Sequence, residues 1–127
     1  MERKIRWLRF SYWVGAVIDF LAAIQMISLM IIEDTGPLYN IAAGSGASLM
    51  LGWTFLLVWA DRKPVERKGV LVITIFPVIL GIMTTQALGY VFGFVTLAEE
   101  APVFLMQIIL IVLFSFSYIN ARGVKEG

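Results

Sequence analysis

The sequence predicts an all-α protein, a four-helix transmembrane bundle with up-down-up-down order. Two observations predict this fold class. The 127 residues are 60% hydrophobic and 15% charged, whereas ordinary soluble domains are roughly 45–50% apolar and about 25% charged. Four apolar runs are each long enough to cross about 30 Å of hydrocarbon as a helix. Because only short connections separate these runs, residues 1–127 are predicted to form a single integral-membrane domain.

The four predicted spans differ in how they begin and end. The first follows a basic segment, and its apolar run is longer than the roughly 7–15 residues of a signal peptide, so it is expected to stay in the mature protein. The second opens at Pro37, a residue suited to a first helical turn. The fourth has Pro102 near its start. The spans are predicted at about 7–32, 38–60, 69–97 and 101–120.

The ten basic residues all fall on one side of this arrangement, before the first span, between the second and third, or after the fourth. The other side carries only acidic residues, namely Glu33, Asp34, Glu99 and Glu100. By the positive-inside rule, both termini and the middle loop are predicted to be cytoplasmic. The protein is therefore expected to cross its membrane several times. That membrane is expected to be a prokaryotic plasma membrane.

Small residues recur every fourth position in two spans. They are Gly44, Ser48 and Gly52 in the second span, and Gly81, Thr85, Gly89 and Gly93 in the third. Small residues let helices approach closely in lipid. These stripes are predicted to pack within the bundle or across a dimer.

One carboxylate, Asp19, lies inside the first span, about 15 Å beyond Arg9 and so near the bilayer midplane. Gly52 and Pro77 are expected at a similar depth, and Pro77 leaves the carbonyl of Ile73 without its helical donor. Intramembrane acids are costly and are functional by default as a hypothesis. Three roles stay open: a protonated carboxyl that joins two helices, a carboxylate that binds a proton, cation or substrate, and a carboxylate paired with a basic residue such as Arg62 that reaches inward.

Other polar side chains are expected near the depth of Asp19 in the membrane. The predicted binding residues for a solute or ion are Asp19, Ser48, Trp53, Thr54 and Gln86. Three glutamines, Gln25, Gln86 and Gln107, would form an outer polar vestibule if they face one another. Gln25 lies about 240° around the helix from Asp19, which disfavours a simple channel.

The connection "WADRKPVERKG", residues 59–69, is the densest charged segment. It is predicted either to bind an anionic headgroup through Asp61, Arg62 and Arg67, or only to set the topology with local ion pairs.

Several function classes are excluded by composition. The chain has no cysteine and no histidine, so it has no disulfide, no Cys/His zinc site and no histidine base. No metal or cofactor is predicted, and a net charge of +1 does not indicate nucleic-acid binding. Enzymatic activity would rest on Asp19, Asp61 and Glu66 alone, so a non-enzymatic role is favoured. No family is assigned.

Three hypotheses follow. The leading one is proton- or cation-coupled transport, or binding, of a small solute at a midplane site centred on Asp19 in a homo-oligomer. The second is a non-catalytic membrane subunit or scaffold whose Asp19 pairs with a partner helix. The third is a lipid-binding or lipid-modifying protein that uses the 61–68 loop.

Overall fold

The computed structural model describes residues 1–33 and 36–125, and this part of the chain is helical with no strand. Asp34, predicted to lie on the outer side, is outside the described residues. The helices are α1 (Glu2–Ile32), α2 (Pro37–Asp61), α3 (Gly69–Ile73), α4 (Leu80–Val91) and α5 (Leu97–Asn120). The segment Thr74–Ile79 links α3 to α4, so Gly69–Val91 forms one interrupted span. The predicted all-α protein with four spans is confirmed.

All four spans are long and apolar enough to cross a membrane. Large apolar side chains on them are exposed, for example Leu49 (74%), Phe55 (72%) and Val112 (63%). Because a soluble protein would bury such faces and a bilayer solvates them, the chain is a small multi-pass integral membrane protein in contact with lipid. The up-down order and the cytoplasmic placement of both termini stay predictions.

The boundary between the third and fourth spans differs from the prediction. The third span ends at Val91 rather than near residue 97, because Gly93 adopts a positive φ of 75° just beyond the helix. The amides of Phe94 and Gly93 then donate to the carbonyls of Gly89 and Tyr90, which is the Schellman arrangement that closes a helix.

The fourth span begins four residues earlier than predicted, at Leu97. Thr96 and Glu99 form a capping box, in which the Glu99 amide donates to Thr96 Oγ1 (3.3 Å) and the Thr96 amide donates to Glu99 Oε2 (2.8 Å). This exchange satisfies two amides that a helix N-terminus otherwise leaves open.

The third span is interrupted one residue before Pro77. Phe76 has extended backbone angles, with φ −131° and ψ 117°, inside the 74–79 segment. A proline lacks the amide hydrogen that would continue the helical ladder. The third span was predicted as one uninterrupted helix, so its division into α3 and α4 beside Pro77 is a finding of the structure.

The contacts of the chain fall into two compact units. The hairpin unit is residues 12–63, and it contains most of α1 together with α2. The terminal unit comprises residues 1–11 and the described chain from Pro64 onward, so it contains the start of α1 and α3 to α5. The prediction of a single domain stays a prediction.

In the terminal unit, one face of α5 is buried at intervals of three or four residues, which is the period of a helix face. This face includes Gln107, Leu110, Phe114 and Ser117, and Ala121 follows in register beyond the helix end. α5 contacts α3, the 74–79 segment and α4. Two of its polar residues, Gln107 and Ser117, thus lie on the face that packs.

The small-residue stripes do not pack as a whole. A Cβ built at Gly52 or at Gly81 would meet no atom within 4 Å. In the hairpin unit, a Cβ at Gly44, which belongs to the predicted stripe, would lie 3.4 Å from Met30 Cε, and a Cβ at Gly46, which does not, would lie 3.2 Å from Met26 Sδ. Within this chain, the spacing of four therefore predicted only part of the contact surface.

Candidate functional site

Asp19 lies on the packed face of α1. Ala16, three residues before it, is 3% exposed, and Ala23, four residues after it, is fully buried. Residues at these spacings share one helix face. Asp19 itself is half-buried, so its carboxylate lies on the packed face while part of the residue stays accessible.

The nearest polar contact between α1 and α2 is one turn from Asp19. The buried Thr54 hydroxyl lies 2.9 Å from the carbonyl oxygen of Met50, in its own helix, and 3.4 Å from the carbonyl oxygen of Ala16 in α1. Together with the approach of Gly46 to Met26, this contact gives an antiparallel pair in the hairpin unit. Thr54 thus contacts α1 three residues before Asp19, and its part in a common site with Asp19 stays a prediction.

Asp19 makes no hydrogen bond and no ion pair with any residue in the described ranges 1–33 and 36–125. Arg62, the basic residue expected to reach inward, is exposed. The pairing of Asp19 with a cation of its own chain is therefore not formed here.

The remaining residues of the predicted site are spread around the helices. Ser48 is exposed, and it lies six residues from Thr54, about 240° around α2. Trp53 is half-buried in the same helix. Gln86 belongs to the terminal unit, whereas Asp19, Ser48, Trp53 and Thr54 belong to the hairpin unit.

The terminal unit contains a second group of polar atoms that sequence reasoning only partly identified. Gln86 Oε1, Glu100 Oε2 and Gln107 Oε1 are buried and have no hydrogen-bond partner in the described chain. Gln107 is only 6% exposed. Gln25, the third glutamine of the predicted vestibule, is exposed. Gln25 belongs to the hairpin unit and the other two glutamines to the terminal unit, so the vestibule stays a prediction, and Glu100 is an addition to the buried polar group.

The signal that could have identified Glu100 is its spacing. Glu100 precedes Gln107 by seven residues, and Phe114 and Ala121 continue the same interval. Seven residues are close to two helical turns, so these positions share a face, and they are separated by about 10 Å along the axis. Glu100 was interpreted as an outer-side charge, although it lies on the packed face of α5.

The predicted headgroup residues occupy the end of α2 and the connection that follows it. Arg62 is exposed, while Asp61 and Arg67 are half-buried and take part in polar or electrostatic contacts. The clearest role in this segment belongs to Lys68. Its ammonium donates to the carbonyl oxygens of Ala121 (2.9 Å), Arg122 (3.2 Å) and Val124 (3.4 Å), so this cation stabilises the C-terminus of α5.

Comparison with protein-family models, curated proteins and solved structures gave no match. The candidate site therefore depends on the geometry and chemistry of its own residues.

Proposed function

We propose that the protein binds a proton or a small monovalent cation within its membrane spans, with Asp19 at the centre of the site, and moves it across the membrane. The observation that carries this proposal is the half-buried Asp19 carboxylate without a hydrogen-bond or ion-pair partner in the described chain. An unpaired acid in an apolar span is costly. A bound cation or proton offsets that cost.

The terminal unit has its own unpartnered buried atoms, which are not assigned to the Asp19 site. In the described chain, the buried side-chain atoms without partners are the oxygens of Gln86, Glu100 and Gln107, and no nitrogen is among them. An acceptor oxygen needs a donor or a cation.

The charge of Asp19 favours a singly charged ligand. One carboxylate provides one negative charge, which a proton, an alkali cation or a protonated amine neutralises. Carboxylate oxygens are hard ligands, which suit hard cations rather than soft ones. The proposed cargo is therefore a proton, sodium, potassium or a small ammonium ion.

Movement is attributed to the interrupted third span. Extended backbone at Phe76 divides Gly69–Val91 into two helical parts, and discontinuous helices are the parts of transporters at which ions bind and access changes. In the proposed cycle, α4 changes its angle to α3 as access alternates. A homo-oligomer is part of the proposal, since four short helices enclose little space.

The test uses purified protein in liposomes that contain a pH-sensitive dye, with separate assays of labelled sodium, potassium and methylammonium. Wild-type protein is expected to raise the flux of one of these ions above that of empty liposomes. Asp19→Asn should lower that flux at least tenfold, because it removes the charge and keeps the shape. Glu2→Gln is the matched control, since Glu2 is 90% exposed at its side chain and begins α1, and its flux should equal that of wild type.

Absence of flux for all these ions with wild-type protein would overturn transport. An unchanged flux in Asp19→Asn would remove Asp19 from the site. The alternative, a scaffold that uses Asp19 to recruit a basic residue on a partner helix, predicts a different pattern. It predicts no flux in wild type, together with loss of assembly in Asp19→Asn.

A further inference from the structure

A hollow of about 270 Å³ lies beside the first turns of α1, lined by Arg3, Arg6, Trp7 and Phe10. These positions follow the spacing of one helix face. The hollow belongs wholly to the terminal unit and includes none of the residues proposed for cation transport. We propose that it binds the headgroup of an anionic phospholipid.

The Trp7 ring of the hollow is held in place by α5. The Trp7 ring packs edge-on against Phe10, with centroids 5.9 Å apart, and against Phe116, with centroids 5.2 Å apart. The carbonyl oxygen of Trp7 also accepts a hydrogen bond of 3.1 Å from Ser117 Oγ. The aromatic side of the hollow is therefore preorganised, which lowers the entropic cost of binding.

The two arginines provide the complementary charge. The first nine residues contain four basic side chains and one acidic side chain. Arg3 has no ion-pair partner among the described residues, and Arg6 has only an exposed contact of 3.7 Å with Glu2. Exposed ion pairs contribute little stability, so a phosphate can displace Glu2. Guanidinium groups bind phosphate oxygens through paired hydrogen bonds.

The length of α1 places the hollow at the membrane surface. From Phe10 to Ile32 the helix has a length of about 34 Å at 1.5 Å per residue, which already exceeds the hydrocarbon thickness of about 30 Å. Arg3 and Arg6 therefore lie in the headgroup layer, and Trp7 and Phe10 lie at its boundary with the acyl chains. Tryptophan is enriched at this depth.

The apolar lining of the hollow favours a phospholipid over a free anion as the ligand. The hollow is lined by two aromatic side chains and the apolar stems of two arginines. A free phosphate would gain the charges but lose water against apolar walls. An anionic phospholipid satisfies both parts, since its phosphate contacts the arginines and its glycerol and acyl chain contact the rings.

The test is native mass spectrometry of the full chain in detergent, titrated with phosphatidylglycerol or with phosphatidylcholine. Wild-type protein is expected to retain phosphatidylglycerol preferentially. The variant Arg3→Gln/Arg6→Gln should lose roughly tenfold or more of that affinity, while its melting temperature stays unchanged because both side chains are exposed. Arg122→Gln/Lys125→Gln removes two exposed charges elsewhere on the terminal unit, and it should bind as wild type does.

Three outcomes would overturn the proposal. One is equal binding of phosphatidylglycerol by wild type and Arg3→Gln/Arg6→Gln. The second is an equal loss in Arg122→Gln/Lys125→Gln, which would indicate general attraction between charges. The third is displacement of the lipid by millimolar inorganic phosphate, which would indicate a plain anion site. None of these results bears on ion flux, so the two proposals fail separately.

Discussion

Ser11 and Ser117 are 106 positions apart in the chain, yet their hydroxyl oxygens lie 2.6 Å from each other and both residues are fully buried. Ser117 Oγ also lies within hydrogen-bonding distance of the carbonyl oxygen of Trp7. These contacts join the start of α1 to the end of α5 in the terminal unit. They also fix the backbone at Trp7, which lines the hollow proposed to bind a phospholipid.

Replacing either serine by alanine should destabilise the protein. Ser11→Ala and Ser117→Ala are each expected to cost about 0.5–1.5 kcal/mol, the range of hydrogen bonds between membrane helices. Ser117→Ala should cost more, because it also removes the bond to the Trp7 carbonyl. Unfolding in mixed micelles measures the free energy of unfolding of each variant. The loss in the double variant Ser11→Ala/Ser117→Ala should be smaller than the sum of the losses in the two single variants. Strict additivity would show that the two hydroxyls do not interact.

Lys68 provides a second prediction, through its three bonds to carbonyl oxygens at the end of α5. Lys68→Met keeps most of the apolar stem and removes the cation. It should lower stability by about 1 kcal/mol, since a cation near a helix C-terminus contributes about that much in favourable geometry. Lys125→Met is the control, because Lys125 is exposed. Hydrogen exchange at residues 117–124 should accelerate in the first variant and not in the second.

The contrast between Gly46 and Gly52 provides a third prediction. A side chain at Gly46 would meet Met26, whereas one at Gly52 would meet no atom of this chain within 4 Å. Gly46→Leu should therefore cost about 1–3 kcal/mol through overpacking, and Gly52→Leu should leave the fold of the protomer intact. Unfolding and chemical crosslinking are measured in parallel. Loss of crosslinked dimer in Gly52→Leu would assign its face to a second copy, and equal unfolding of both variants would contradict the packing.

Hydropathy alone was sufficient to predict the four spans, because crossing a membrane demands a long apolar helix whatever its neighbours are. The end of the third span was missed because Phe92, Phe94 and Val95 keep the hydropathy high through the turn. The signals that end it are local: a glycine with positive φ at Gly93 and the Thr96–Glu99 capping box. The glycine and the Thr-x-x-Glu spacing of the capping box are both present in the sequence.

The site was less predictable, because burial depends on which helix face packs. Asp19 was conspicuous by composition, and its packed face agrees with the small residues around it. Glu100 was not conspicuous, since an acid at a helix start is ordinary on the outer side of a membrane protein. Lys68 could not have been assigned, because its carbonyl partners are more than 50 positions away.

Gln107 gives a prediction about the unsatisfied polar atoms of the terminal unit. Its Oε1 is buried without a donor in the described chain, and an unsatisfied buried polar group costs about 1–3 kcal/mol. In buffer free of sodium and potassium, Gln107→Leu should therefore be more stable than wild type. When sodium or potassium is added, a cation that binds Gln107 Oε1 should stabilise wild type by mass action, and the variant should gain less.

Gln25→Leu is the matched control for Gln107→Leu, because Gln25 is an exposed glutamine in α1. Its melting temperature should follow that of wild type with and without the cation. Thermal unfolding monitored by tryptophan fluorescence measures all three proteins at several cation concentrations. A destabilised Gln107→Leu under both conditions would show that the amide already has a partner in the protein. In that case Gln107 holds α5 in place and contributes no acceptor to a ligand.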